Sequence, residues 1–134
     1  MALAVGLASG IAEDILDALC SSVAWSEPAS FNVKLHTAIP GAAGTNAPAG
    51  ETTRKLATFS AATPDGAITT TGALAWTNVS TTETYSHVSF WSDISAGNFL
   101  GSAALTVAKA VTAGDNFTIP TGDLDLTLTP IATT

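Results

Sequence analysis

Tyr85-Ser-His-Val-Ser-Phe-Trp-Ser-Asp-Ile-Ser-Ala-Gly-Asn-Phe-Leu-Gly-Ser-Ala-Ala-Leu105 places two alternating runs on either side of the turn Ser95-Ala-Gly-Asn98. Alternation interrupted by a Gly-Asn turn predicts a β-hairpin. The first arm, Glu83 to Trp91, carries Tyr85, His87, Ser89 and Trp91 on one face and Ser86, Val88 and Phe90 on the other. Aromatics on both faces predict a strand with neighbours on both sides, at the centre of a sheet.

Working outward, the period stays near two over most of the chain. Phe31, Val33 and Leu35 alternate with Asn32, Lys34 and His36, which predicts a half-buried strand. Further strands are expected over Arg54–Phe59, Ala67–Thr70, Ala73–Val79 (Leu74 and Trp76 sharing a face), Asn98–Leu100, Leu105–Val111 and Phe117–Ile119. In the seventh of these runs, Leu105, Val107 and Val111 are expected to point inward. The last strand has Leu124, Leu126 and Leu128 between Asp123, Asp125 and Thr127, and Pro130 ends it. Ile39 to Gly50 breaks the pattern with Pro, Gly, Ala, Thr and Asn. It reads as a long arm or contact loop.

Only the N-terminal part has a helical period. Ile11, Ile15, Leu16, Leu19 and Val23 recur every three or four residues, predicting a helix over Gly10–Val23 with Ser9 as its cap. An earlier start near Leu3 is weakened by Gly6 and Gly10. The expected architecture is therefore mainly β: an antiparallel, jelly-roll-like β-sandwich of seven or eight strands with one N-terminal α-helix. The 134 residues fit one domain, with residues 1–24 as N-terminal segment and helix and 30–130 as the sandwich.

Composition narrows the function classes. Charged residues are 11% of the chain, against the roughly 25% of an ordinary soluble domain. Ser and Thr supply the polarity, giving a surface that neighbours can cover at little desolvation cost. The net charge of −7 and the scatter of Lys34, Arg54, Lys55 and Lys109 argue against nucleic-acid binding. No run reaches the ~18 apolar residues of a membrane span, and the start lacks a basic signal region, so cytoplasmic synthesis is expected. Cys20 is the only cysteine and is expected to be a small buried hydrophobe.

The chemistry-bearing residues form no recognisable motif. His36 and His87 lack metal-ligand spacing, and no nucleophile elbow, phosphate loop or dinucleotide fingerprint is present. Asp123 and Asp125 read as solvated strand residues, and Asn78-Val-Ser and Asn116-Phe-Thr as uninformative matches to a glycosylation pattern. Trp25, Trp76 and Trp91 could stack on sugars but read first as core or interface anchors. We expect no enzymatic activity, cofactor or metal.

Four pieces, Ala12-Glu-Asp-Ile-Leu-Asp-Ala-Leu19, Phe31-Asn-Val-Lys-Leu-His-Thr-Ala-Ile-Pro-Gly41, His87 to Gly101 and Ile119-Pro-Thr-Gly-Asp-Leu-Asp-Leu-Thr-Leu128, together resemble short virion proteins of tailed, especially actinobacterial, phages. Proteins of that kind are described variously as capsid decoration or minor capsid proteins and as tail-fibre or minor tail proteins. The resemblance implies a virion structural role and no catalytic residues. Joined to the acidic, site-free composition, it leads to the expectation of a decoration (cement) protein on the outer capsid surface, bound to the major capsid protein and self-associating as a dimer or trimer. The alternative is a tail-fibre component that contributes to host-surface glycan binding. Ile15, Leu16, Leu19, Trp25, Ile39, Pro40 and Trp91 are the candidate interface residues.

Overall fold

The computed structural model describes residues 5–128. Nine strands and one helix follow in the order β1 (Gly6–Leu7), α1 (Ser9–Cys20), β2 (Phe31–His36), β3 (Lys55–Ala57), β4 (Ala67–Thr69), β5 (Leu74–Trp76), β6 (Glu83–Trp91), β7 (Phe99–Val111), β8 (Phe117–Ile119) and β9 (Asp125–Thr127). The main sheet has five strands in the order β1-β7-β6-β2-β3, and β4-β9 and β5-β8 form separate pairs. Every pairing is antiparallel. The class is the expected mainly β, sandwich-like one.

The apolar face of the main sheet is built from cross-strand pairs. Val33 lies opposite Phe90 and Leu35 opposite Val88, and Phe31 and Phe90 stack with ring centroids 4.8 Å apart. The short pair β5-β8 supplies Leu74, Trp76, Phe117 and Ile119 to the same core. Trp76 meets Phe117 at 5.7 Å, and Phe117 meets Tyr85 edge-on at 5.2 Å. The indole N–H of Trp76 donates to the Thr53 carbonyl at 2.7 Å, so this buried side chain has its one donor satisfied.

Three features depart from the sequence reading. The expected sixth and seventh strands are one, β7, thirteen residues long. Gly101 sits inside it because the backbone of β1 passes there: a Cβ at Gly101 would lie 2.6 Å from the Gly6 carbonyl oxygen. Glycine inside a strand often marks such a close approach. Further on, His87 pairs with Ala104 but Tyr85 pairs with Lys109, so Leu105 to Ala108 bulge out opposite Ser86 alone. The bulge resets the alternation, which is why Val107, expected inward, is exposed while Val111 is buried.

The second departure is β2. It lies between β6 and β3, and its nominally outer residues Asn32 and His36 are as buried as its apolar ones. The third is the Ile39–Gly50 segment, which is a cover rather than an arm. Pro40, Gly41, Gly44 and Ala49 are buried. The segment closes on itself through Asn46 N–H to Pro40 C=O (2.9 Å) and returns to the sheet through Ala49 N–H to Leu35 C=O (3.1 Å). Gly44, at φ +70°, packs against the Phe99 ring.

The helix is shorter than the apolar stripe. It starts at Ser9, with Ala8 rather than Ser9 at the cap position and no side-chain cap, and it ends at Cys20. Ser22, at φ +56°, turns the chain away. No helix residue is fully buried, and Cys20, expected inside, is exposed. No helix among the described residues is long and apolar enough to cross a membrane. The expected stop at Pro130 and the earlier helix start near Leu3 fall outside the described residues.

Gly44→Ala is expected to destabilise the fold by about 2 kcal/mol or more, since its Cβ would overlap Phe99 and the left-handed backbone disfavours it. A fall in the urea midpoint with unchanged slope is the measurement.

Candidate interaction surface

The two faces of the main sheet place the seven predicted interface residues in two groups. Ile39, Pro40 and Trp91 lie with the polar face and its covering segment. Pro40 is buried there, and Ile39 and Trp91 are half-buried. Ile15 and Trp25 line a groove at the other face, with Leu16 and Leu19 exposed beside it.

On the polar face, side chains close a hydrogen-bonded chain. Trp91 Nε1–H donates to Ser89 Oγ at 2.8 Å. Ser89 Oγ lies 2.7 Å from His36 Nε2, and His36 Nδ1 lies 2.8 Å from the Asn46 carbonyl oxygen. A carbonyl only accepts, so Nδ1 carries the proton and Nε2 accepts from the Ser89 hydroxyl. Every donor in the series then has one acceptor. The order is Trp91 to Ser89 to His36 to the cover segment. Ser89 and His36 are both fully buried, which leaves a substrate carbonyl no approach to the serine oxygen. The pair resembles a hydrolase dyad in composition only.

Above this chain, the Arg54 guanidinium lies 4.2 Å from the centre of the Trp91 ring. It donates to the carbonyls of Asp93 and Ala96 in the hairpin turn. Asp93 Oδ1 accepts the amides of Ser95 (3.0 Å) and Ala96 (3.4 Å). These bonds hold its carboxyl below the ordinary range. Phe99 covers another side of the Trp91 ring at 5.6 Å. Trp91 is thus a clamp within the fold.

The groove is different in kind. A cavity of about 560 Å³ opens between α1 with the segment to Pro28, the apolar face of the main sheet, and the β4-β9 pair. Its walls are Ile11, Ile15, Trp25, Phe31, Ile68 and Leu124, among other apolar groups. Leu7, Leu16, Leu19, Val23 and Leu128 are more than half exposed, and Leu19 reaches 78%. Trp25 is 41% exposed, whereas Trp76 at 1% has no face to offer a sugar. Sequence reasoning found the helix side of this groove. It missed the β4-β9 side, although the Leu124, Leu126, Leu128 alternation was the signal for it. Asp123 and Asp125 are exposed, and among the described residues no group of three or more His, Cys, Asp or Glu could hold a metal.

Comparison with protein families places the chain among bacteriophage structural proteins. The model of the podophage GP4 fiber I protein gp80 family matches residues 6–127, and the chain belongs to that family. The match bears out the phage structural part of the resemblance drawn from the sequence; it specifies neither actinobacterial hosts nor capsid decoration. A search of curated proteins gives no match.

Two outcomes are expected from the buried chain. Ser89→Ala removes the hydroxyl that serves both Trp91 and His36, leaving two buried polar atoms unpaired. The expected loss is about 1–3 kcal/mol in urea unfolding. Acid should weaken the fold as well. Burial lowers the His36 pKa below its ordinary 6.5, with Lys34 and His87 acting in the same direction and the Asn46 and Ala47 carbonyls opposing. The unfolded chain then binds the proton that the folded chain refuses. Stability is complete above about pH 6.5 and falls as pH drops from there toward the folded pKa. Urea midpoints at about pH 7.5 and about pH 5.5 should show this fall in the wild type and a smaller one in His36→Gln.

Proposed function

We propose that this protein is a fibre component of a phage particle and that its role there is mechanical. The observation that carries the reading is the family match, which spans nearly all the described residues and names a fiber protein. The fold supports it: the hairpin, the sheet centre and the cover segment are locked together by hydrogen bonds, and an apolar groove stands open beside them. Shell decoration, favoured by the acidic charge and the low charge density, has no such support. Host-glycan binding through Trp76 or Trp91 is not proposed. Trp76 is buried in the core, and Trp91 lies between Arg54 and Phe99.

The test is the number of copies per particle and their position. Quantitative mass spectrometry of purified particles should give far fewer copies than of the major capsid protein, and antibody label should fall on fibres. About one copy per one to three capsid subunits, with label spread over the head, would return the protein to the shell.

A further inference from the structure

We infer that the open groove beside α1 is covered by a second copy of this chain, in a two-fold pairing. The inference rests on the fibre reading for its biological setting but on the surface itself for its argument.

Leu7, Leu16, Leu19, Val23, Trp25 and Leu128 expose roughly 700 Å² between them by their fractional accessibilities, beyond the 300–600 Å² of the largest apolar patch on a typical monomer. That area approaches the ~800 Å² per partner that a stable interface buries. No charged side chain is among the six. Glu13, Asp14 and Asp17 lie on the opposite arc of the helix by its 3.6-residue period. Asp125 is the one charged residue in the groove lining, so little of the net charge of −7 meets its like at this face.

The shape argues for a second copy over an unrelated partner. The patch has a ridge and a hollow side by side. Ile11 and Ile15 turn into the groove, while Leu16 and Leu19, on the same helix, stand out from it. A two-fold axis between them seats the ridge of each copy in the hollow of the other, which is the self-complementarity an isologous interface needs. The cavity of about 560 Å³ has room for several aliphatic side chains. The N-terminal segment that carries α1 is also attached in a way that suits such a contact. Its backbone joins the sheet through the pairs Gly6–Ser102 and Leu7–Gly101 and the Ala8 N–H to Leu100 C=O bond of 2.9 Å. From Ser21 to Glu27 it is exposed throughout.

Sedimentation equilibrium of the purified chain tests this. The wild type should have the mass of two chains, and the double variant Leu16→Asp/Leu19→Asp the mass of one, with an unchanged β-sheet circular dichroism spectrum. Both leucines are exposed, so the variant should keep its fold. Val107→Asp, which alters the exposed bulge of β7 away from the groove, should remain paired. A wild type with the mass of one chain or of three overturns the pairing. So does a double variant that stays paired, or a Val107→Asp chain that falls apart. If particles carry the protein on fibres while the isolated chain has the mass of one, the pairing fails and the fibre reading stands. If the chain pairs but label covers the head, the reverse holds.

Discussion

The Ser89 hydroxyl is the atom on which most of the structure depends. It accepts a hydrogen bond from the Trp91 indole N–H and donates one to His36 Nε2. It sits where β6 pairs with β2 and where the Ile39–Gly50 segment comes down over His36. One oxygen thus ties the arm of the hairpin, the neighbouring strand and the cover. A valine in its place would fill the volume and leave the indole N–H and the imidazole nitrogen without partners. A buried polar network of this kind stabilises little when complete and costs much when broken. Its main effect is to select one arrangement of strand, hairpin and cover over others that bury the same apolar area.

The sheet is consequently asymmetric. One face is sealed by hydrocarbon, with Phe31, Val33, Leu35, Val88 and Phe90 meeting the short strand pairs. The other is sealed by hydrogen bonds and by backbone, with Asn32, His36 and Ser89 beneath a segment of small residues. Asn32 Nδ2 reaches Ser30 Oγ at 2.7 Å, and Ser30 Oγ in turn donates to the Ser92 carbonyl at 2.8 Å. The polar seal thus continues from the middle of the sheet to the start of the hairpin turn. The helix joins the apolar seal only through Ile11, which packs half-buried against the core. It stands at the edge of the apolar side, where the hydrocarbon layer is left open.

The legible parts of the fold were those that rest on period and turn chemistry. Strand β6 spans the very residues that its alternation and the Ser95-Ala-Gly-Asn98 turn indicated, and β8 likewise. Gly101 was the misleading residue. It falls in the gap between the strands expected over Asn98–Leu100 and Leu105–Val111, but it marks the place where β1 pairs closely with one continuous strand, and only the partner backbone reveals that. His36 and Asn32 read as outward because alternation distinguishes apolar from polar, not buried from exposed. The burial of His36 depends on a cover built mainly of small residues and held by backbone bonds. At the groove, the helical stripe was legible and its exposure was not. A period shows that a face is apolar but does not show whether the chain itself has anything to lay against it.

The position of β2 between β3 and β6 bears on the order in which a ribosome delivers the molecule. At about 5–20 residues per second, Phe31, Val33 and Leu35 leave the exit tunnel several seconds before Phe90 and Val88 exist to pair with them. The cover waits longer still, for Phe99. The nascent chain therefore carries an unfinished apolar strand until the hairpin emerges, and the sheet closes only then. Once it does, the centre, both flanks and the cover become available almost together, a sequence of events that favours one late, cooperative closure over stepwise growth from the N-terminus.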